Sequence, residues 1–121
     1  MFNFKNNKAL DTPEKANLYT TFYMNQFMVT FELPIPFTTD FIELIPEQRD
    51  VINTLLAEQK IQSYSLSMNR DKLWCMVNAS SKYEVVNIVN TFPLIDYMPY
   101  EVSELMFHNV ATIQIPAFSL N

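Results

Sequence analysis

Residues 61–79, IQSYSLSMNRDKLWCMVNA, contain two strand patterns separated by a short turn. From Ile61 to Met68 the side chains alternate, with serine hydroxyls recurring on one face, and Lys72 to Ala79 is rich in large apolar residues. Between the two strands, Asn69 is expected to adopt the positive φ angle that usually falls to glycine. These features predict an antiparallel hairpin at the centre of the fold.

A helical pattern precedes this hairpin. Apolar residues recur at three- and four-residue spacing between residues 41 and 56, after N-cap candidates at positions 38–40. Pro46 lies inside this stretch and lacks a backbone donor. We therefore expect a kink or a fresh start at Pro46, with the main helix running to about Gln59.

The remaining patterns complete an order of six elements. Residues 26–33 alternate as a strand, residues 80–92 contain a second helix capped by serine, and residues 100–107 form a last strand. The order β-α-β-β-α-β is the split βαβ arrangement of ferredoxin-like folds. We predict an α+β domain in which two helices cover one face of an antiparallel sheet.

The other face of this sheet is also expected to be apolar. Met28 alternates with Phe27 and Phe31 in the first strand, and Trp74 and Met76 alternate with core candidates in the third. A large apolar face does not stay bare on a monomer in water. We therefore predict a homodimer in which two sheets pack face to face.

The domain boundaries follow from the same patterns. Residues 1–23 are interpreted as an N-terminal extension that allows a short helix from about Thr12, with Met24 as an alternative start. Residues 24–108 carry all six elements. Residues 109–121 form an apolar tail that we expect to pack across the dimer.

Composition excludes several classes of function. The 121 residues contain no glycine, which rules out glycine-rich phosphate loops, dinucleotide fingerprints and the nucleophile elbow. A net charge of −5 argues against nucleic acid and anionic membrane surfaces as partners. Cys75 is the single cysteine, so no intrachain disulfide or thiolate metal cluster can form. We expect a cytoplasmic protein without metal or cofactor.

Residues 93–102, PLIDYMPYEV, carry a resemblance to a known family. The Pro-Leu, Tyr-Met and Glu-Val pairs at this spacing resemble the approach to the last strand in muconolactone Δ-isomerases, and the similarity covers about residues 26–108. The resemblance implies a dimeric α/β barrel. It also implies an enzyme that moves a proton along an unsaturated lactone in the catabolism of aromatic acids.

The resemblance implies candidate residues for that proton shift. The family's carboxylate falls on Gln48, whose amide cannot act as a base, and Glu47 lies one position away, about 100° round the helix. Glu47 is the candidate general base, His108 is a second catalytic candidate, and Gln48 and Arg49 are candidates to bind the substrate. The structural alternatives are a carboxylate at a helix start, an inert surface histidine and a solvated arginine.

Other residues are expected to line a ligand pocket. Ser63 and Ser65 belong to the hydroxyl row of the first hairpin strand, and Tyr64, Trp74 and Tyr97 offer aromatic walls suited to an unsaturated ring. The alternative is an exposed sheet margin for the serines and core or dimer contacts for the aromatic residues.

Two hypotheses about function follow. The first is a muconolactone isomerase-like enzyme that moves a proton in a small unsaturated lactone or a related anionic ring compound. The second is a noncatalytic dimeric protein that keeps the fold and binds a small anionic organic ligand in the same pocket.

Overall fold

The computed structural model of the protein describes residues 25–111, so the predictions for residues 1–24 and for most of the apolar tail lie outside the described part. Its helices and strands are, in chain order, β1 (Asn25–Glu32), α1 (Thr39–Ala57), β2 (Ile61–Leu66), β3 (Lys72–Ala79), α2 (Lys82–Val89) and β4 (Tyr100–Glu104), with a short 3₁₀ helix at Ile95–Tyr97.

The four strands form one antiparallel sheet in the order β2-β3-β1-β4. β3 lies between β1 and β2, and β1 lies between β3 and β4, so each helix connects two strands that are separated by a third. This arrangement is compatible with a ferredoxin-like fold. The predicted α+β class and the predicted order of elements are confirmed.

Alternation in β1 determines which face of the sheet is buried. Phe27, Val29 and Phe31 are at most 1% exposed and belong to the core between the sheet and the helices. The Phe31 ring lies 5.7 Å from the ring of Phe92 and 5.6 Å from that of Tyr100, measured between ring centroids. These aromatic contacts join β1 to β4 and to the segment after α2.

α1 is one continuous helix with Pro46 inside it, so the expectation of a fresh start at Pro46 is wrong. The helix begins where the Thr38 hydroxyl accepts a hydrogen bond from the Phe41 amide at 3.2 Å. Pro46 cannot donate to the carbonyl of Ile42, a residue that is 51% exposed. Water can satisfy that carbonyl, which explains how the helix tolerates proline here.

Two residues without glycine's freedom adopt left-handed backbone angles in the turns. Gln59 after α1 has a φ of 60° and Arg70 in the hairpin turn has a φ of 64°. The expectation that Asn69 would take this angle is wrong by one position. The Arg70 amide donates to the Ser67 carbonyl, and the Ser67 hydroxyl accepts from the Asp71 amide, so the left-handed residue is the last of the turn.

A β-bulge near the start of β2 changes which side chains share a face. Ile61 pairs with Val77, but the next pair joins Ser63 to Met76, leaving Gln62 as an extra residue. Strict alternation places Ile61 with the serines, whereas the bulge places it on the helix side with Tyr64. β2 therefore presents Tyr64 and Leu66 toward α1, and Ser63 and Ser65 toward the other face.

The face of the sheet without helices is mixed in polarity. Met28, Trp74 and Met76 lie near its centre, since Met28 pairs with Met76 and Thr30 pairs with Trp74. Hydroxyl and other polar side chains surround this apolar patch on all four strands, namely Gln26, Thr30, Ser63, Ser65, Glu101 and Ser103. The face is less apolar than the sequence pattern suggests.

Candidate functional site

A cavity of about 470 Å³ lies between α1 and the helix-facing side of the β2–β3 hairpin. Its size is within the range of small-molecule sites in proteins. The walls are mostly apolar, with side chains from α1, the hairpin, the loop after β1 and the segment before β4, among them Phe37, Ile45, Ile52, Leu73 and Met98. The cavity is therefore part of the same apolar layer as the core.

The cavity opens at the edge of the sheet. β2 is an edge strand, so no further strand of the described chain closes this side. Leu56, Leu66, Arg49 and Asn53 line the cavity and are also exposed to solvent, and they mark its mouth. A ligand entering here meets two leucines, an amide and one guanidinium.

Gln48 is the one buried polar side chain among residues 25–111, with 3% of its surface exposed. Its Oε1 accepts a hydrogen bond from the Leu94 backbone amide at 3.0 Å. Its Nε2 donates to the Tyr64 hydroxyl, also at 3.0 Å. The amide therefore connects α1 to β2 and to the segment before β4, and all three residues line the cavity.

The directions of these hydrogen bonds are fixed by chemistry. A backbone N–H can only donate, so the Gln48 atom that meets Leu94 must be the oxygen, and the atom that meets Tyr64 must be the NH₂ group. The Tyr64 oxygen therefore acts as an acceptor toward Gln48. Within the described part of the chain, the structure shows no acceptor for the Tyr64 hydroxyl proton.

Burial raises the pKa of Tyr64 above its ordinary value of 10.0, although the hydrogen bond from Gln48 acts in the opposite direction. Tyr64 therefore stays a neutral phenol at physiological pH. In that form the hydroxyl can donate a hydrogen bond, but it is a poor base.

Three of the predicted binding residues meet at the cavity. Gln48 and Tyr64 lie in its wall and Arg49 lies at its mouth. Ser63, Ser65 and Trp74 instead belong to the sheet face without helices, where Ser65 pairs with Trp74. Tyr97 does not line the cavity, but it is close by.

Tyr97 has a packing role. Its ring meets the Phe41 ring edge-on, with the centroids 5.8 Å apart, and Phe41 is itself part of the cavity wall. The 3₁₀ helix that carries Tyr97 therefore supports α1 from the side of the segment before β4.

The two predicted catalytic residues lie outside the cavity. Glu47 is exposed on α1, and the turn of the helix between neighbouring positions explains why Gln48 points inward while Glu47 does not. His108 lies beyond β4, which ends at Glu104 and not at residue 107 as the pattern suggested. The structure does not bring Glu47 and His108 together with Tyr64.

Other kinds of site receive no support from the described residues. Between residues 25 and 111 no cluster of three or more His, Cys, Asp or Glu side chains could hold a metal ion. No helix in the same range has both the length and the apolar character needed to cross a membrane.

No protein-family model matches this chain, and no curated protein matches it. The resemblance to muconolactone Δ-isomerases therefore stays a hypothesis based on residues 93–102 and the order of elements.

The sequence contains a signal for the buried amide that periodicity reveals. Phe41, Ile45, Ile52 and Leu55 form the apolar stripe of α1, and Gln48 occupies a position in that stripe. A polar residue at a core position requires a partner, so it marks a buried polar site. The apolar wall residues Phe37, Leu66 and Met98 carry no comparable signal.

We predict that the protein loses stability in alkaline solution because of its buried acids. Burial raises the pKa of the Cys75 thiol from its ordinary value of 9.0 to about 12. Above pH 9 the unfolded chain releases this proton and the folded chain keeps it, so the free energy of unfolding falls by up to about 1.4 kcal/mol per pH unit. Urea denaturation between pH 8 and 11 measures this slope.

Cys75→Ala should reduce the alkaline slope, and the control Tyr83→Phe should not, because Tyr83 is 76% exposed. Equal slopes in the wild type and Cys75→Ala would contradict the prediction.

Proposed function

We propose that this protein binds a small, mainly apolar organic molecule in the cavity between α1 and the β2–β3 hairpin, without acting on it chemically. The observation that supports this most strongly is a cavity of about 470 Å³ with apolar walls and one oriented polar pair, Gln48 and Tyr64. Binding sites for small molecules combine these features, since apolar walls provide affinity and a few polar groups fix orientation.

The chemical character of the wall supports binding over proton transfer. Within residues 25–111, Arg49 and Tyr64 are the ionisable residues that line the cavity, and neither is a carboxylate or an imidazole. A proton shift next to a carbonyl requires a base whose pKa is near the working pH. A guanidinium and a phenol with a raised pKa do not meet that requirement.

Filling the cavity should abolish binding without unfolding the protein. We predict that Ile45→Trp weakens the binding of butylbenzene by at least about tenfold, or 1.4 kcal/mol, because Ile45 lines the cavity and is only partly buried. The measurement is an NMR titration in which the backbone amides of α1 and β2 report the site.

Ile42→Trp is the matched control, since Ile42 lies on the same helix, is 51% exposed and does not line the cavity. It should bind butylbenzene like the wild type. Absence of saturable binding in the wild type, or equal loss in both variants, would contradict the proposal.

Isomerase activity is the second candidate function, and the joint presence of Arg49 and Tyr64 in the cavity favours it. A cation and a phenol donor could hold the carboxylate and the enolate oxygen of a lactone. The base would then have to come from Glu47, which lies on the exposed side of α1.

We predict that muconolactone incubated with the protein in D₂O takes up no deuterium above the uncatalysed rate, because Glu47 does not reach the cavity wall. Proton NMR of the lactone ring measures the exchange. Uptake that disappears in Glu47→Gln would contradict the noncatalytic proposal and support the isomerase.

We also propose that two copies of the chain pack their sheets face to face and form a dimeric α/β barrel. Support comes from Met28, Trp74 and Met76 on the face without helices, where Trp74 is still 36% exposed. Hydroxyl side chains around this patch could form the polar rim of such an interface. The free, buried Cys75 is compatible with the cytoplasmic location that the composition suggests.

A charge at the centre of this face should break the dimer. We predict that Trp74→Glu converts a wild-type dimer to a monomer in sedimentation at micromolar concentration, since a buried carboxylate would lack a partner. Tyr83→Glu, on the exposed side of α2, should leave the dimer intact. A wild-type monomer would contradict the dimer proposal and leave the cavity proposal unaffected.

A further inference from the structure

The polar pair in the cavity has hydrogen-bond donors to spare. Gln48 uses its oxygen on the Leu94 amide and one N–H on Tyr64, so the Tyr64 proton and the second N–H of Gln48 lack acceptors among the described residues. A buried donor without an acceptor is unfavourable. The cavity therefore offers a partner of one kind, a group that accepts hydrogen bonds.

We propose that the ligand is an uncharged carbonyl compound, such as a ketone, an ester or a lactone, whose oxygen accepts a hydrogen bond from Tyr64. This inference rests on the proposed binding function and names the chemical class of its ligand. The carbonyl oxygen takes up the free donors of the pair, and the apolar remainder of the molecule contacts the walls. Tyr64 is the residue that distinguishes this class, and Gln48 positions its hydroxyl.

The charges around the cavity favour a neutral acceptor over a carboxylate. Arg49 is the one cationic residue among the described ones that line the cavity, and it is exposed at the mouth. A carboxylate beside Tyr64 would lose its water without gaining a cation, which is costly in an apolar site. A carboxylate bound by Arg49 would stay at the mouth and leave the donors of the pair unused.

The donors of the pair also favour a carbonyl over an alcohol. A carbonyl oxygen accepts hydrogen bonds and brings no hydrogen of its own into the cavity. An alcohol adds a further donor to a site that already has donors in excess. Apart from the second lone pairs of the Gln48 and Tyr64 oxygens, the polar atoms described near this pair are donors.

Three probes with the same phenyl group and nearly the same length test the inference. They are 4-phenyl-2-butanone, its carboxylate isostere 3-phenylpropanoate, and butylbenzene, which has no polar atom. Each is titrated into the full-length wild type, Tyr64→Phe and the control Tyr83→Phe, with binding followed by NMR. The ketone carries ¹³C at its carbonyl, so that its chemical shift reports the hydrogen bond directly.

We expect the wild type to bind the ketone at least about tenfold more tightly than the carboxylate. Tyr64→Phe should weaken ketone binding by about five- to tenfold relative to butylbenzene, because only the hydroxyl is lost. The carbonyl signal of the bound ketone should move downfield in the wild type and in Tyr83→Phe, but not in Tyr64→Phe. A merely structural role of Tyr64 would not change that signal.

Two results would overturn the inference, and they differ in what they say about the proposed function. If the carboxylate binds as tightly as the ketone and loses affinity in Arg49→Gln, the ligand is an anion held at the mouth, and the cavity is still a binding site. If none of the three probes shows saturable binding, the inference and the proposed binding function both fail.

Discussion

The buried amide of Gln48 is the interaction on which the cavity depends. It joins parts of the chain that lie far apart, since Leu94 is 46 residues away and Tyr64 is 16 residues away. Without it, the Leu94 N–H would be buried without a partner, at a cost of about 1–3 kcal/mol. Because the amide satisfies that group, α1 and the segment before β4 can stay in place around an apolar cavity.

The backbone of β2 is equally important for the site. The bulge at Gln62 turns Tyr64 toward α1, in register with the core residue Cys75 of β3. As an edge strand, β2 also leaves the cavity open on one side. One irregularity in a short strand thus places a hydroxyl inside an apolar layer, within hydrogen-bond distance of the only buried amide of residues 25–111.

The comparison of sequence and structure shows where local patterns are sufficient. The alternation in β1, the N-caps at Thr38 and Ser81 and the hairpin turn are local features, and they predicted the order of elements correctly. The bulge and the Arg70 conformation depend on pairing across the hairpin, which no alternation pattern contains. The faces of Ile61 and of the serines could therefore not be predicted reliably.

The candidate site was predictable only in part, for a related reason. Gln48, Arg49 and Tyr64 were named from the resemblance, and all three line the cavity. Glu47 was preferred as the base for its chemistry, but one helix position places it on the exposed side. The polar position in the apolar stripe of α1 was informative, whereas its partner, the Leu94 backbone amide, carries no side-chain signature.

The most direct test of this account is an NMR measurement of scalar coupling across the hydrogen bond from the Leu94 amide nitrogen to the side-chain carbonyl carbon of Gln48. The account predicts a detectable coupling in the ligand-free protein, together with slow hydrogen exchange of the Leu94 amide. Absence of the coupling, with exchange as fast as that of an exposed amide, would contradict the account, because the cavity would then lack the interaction that orients Tyr64.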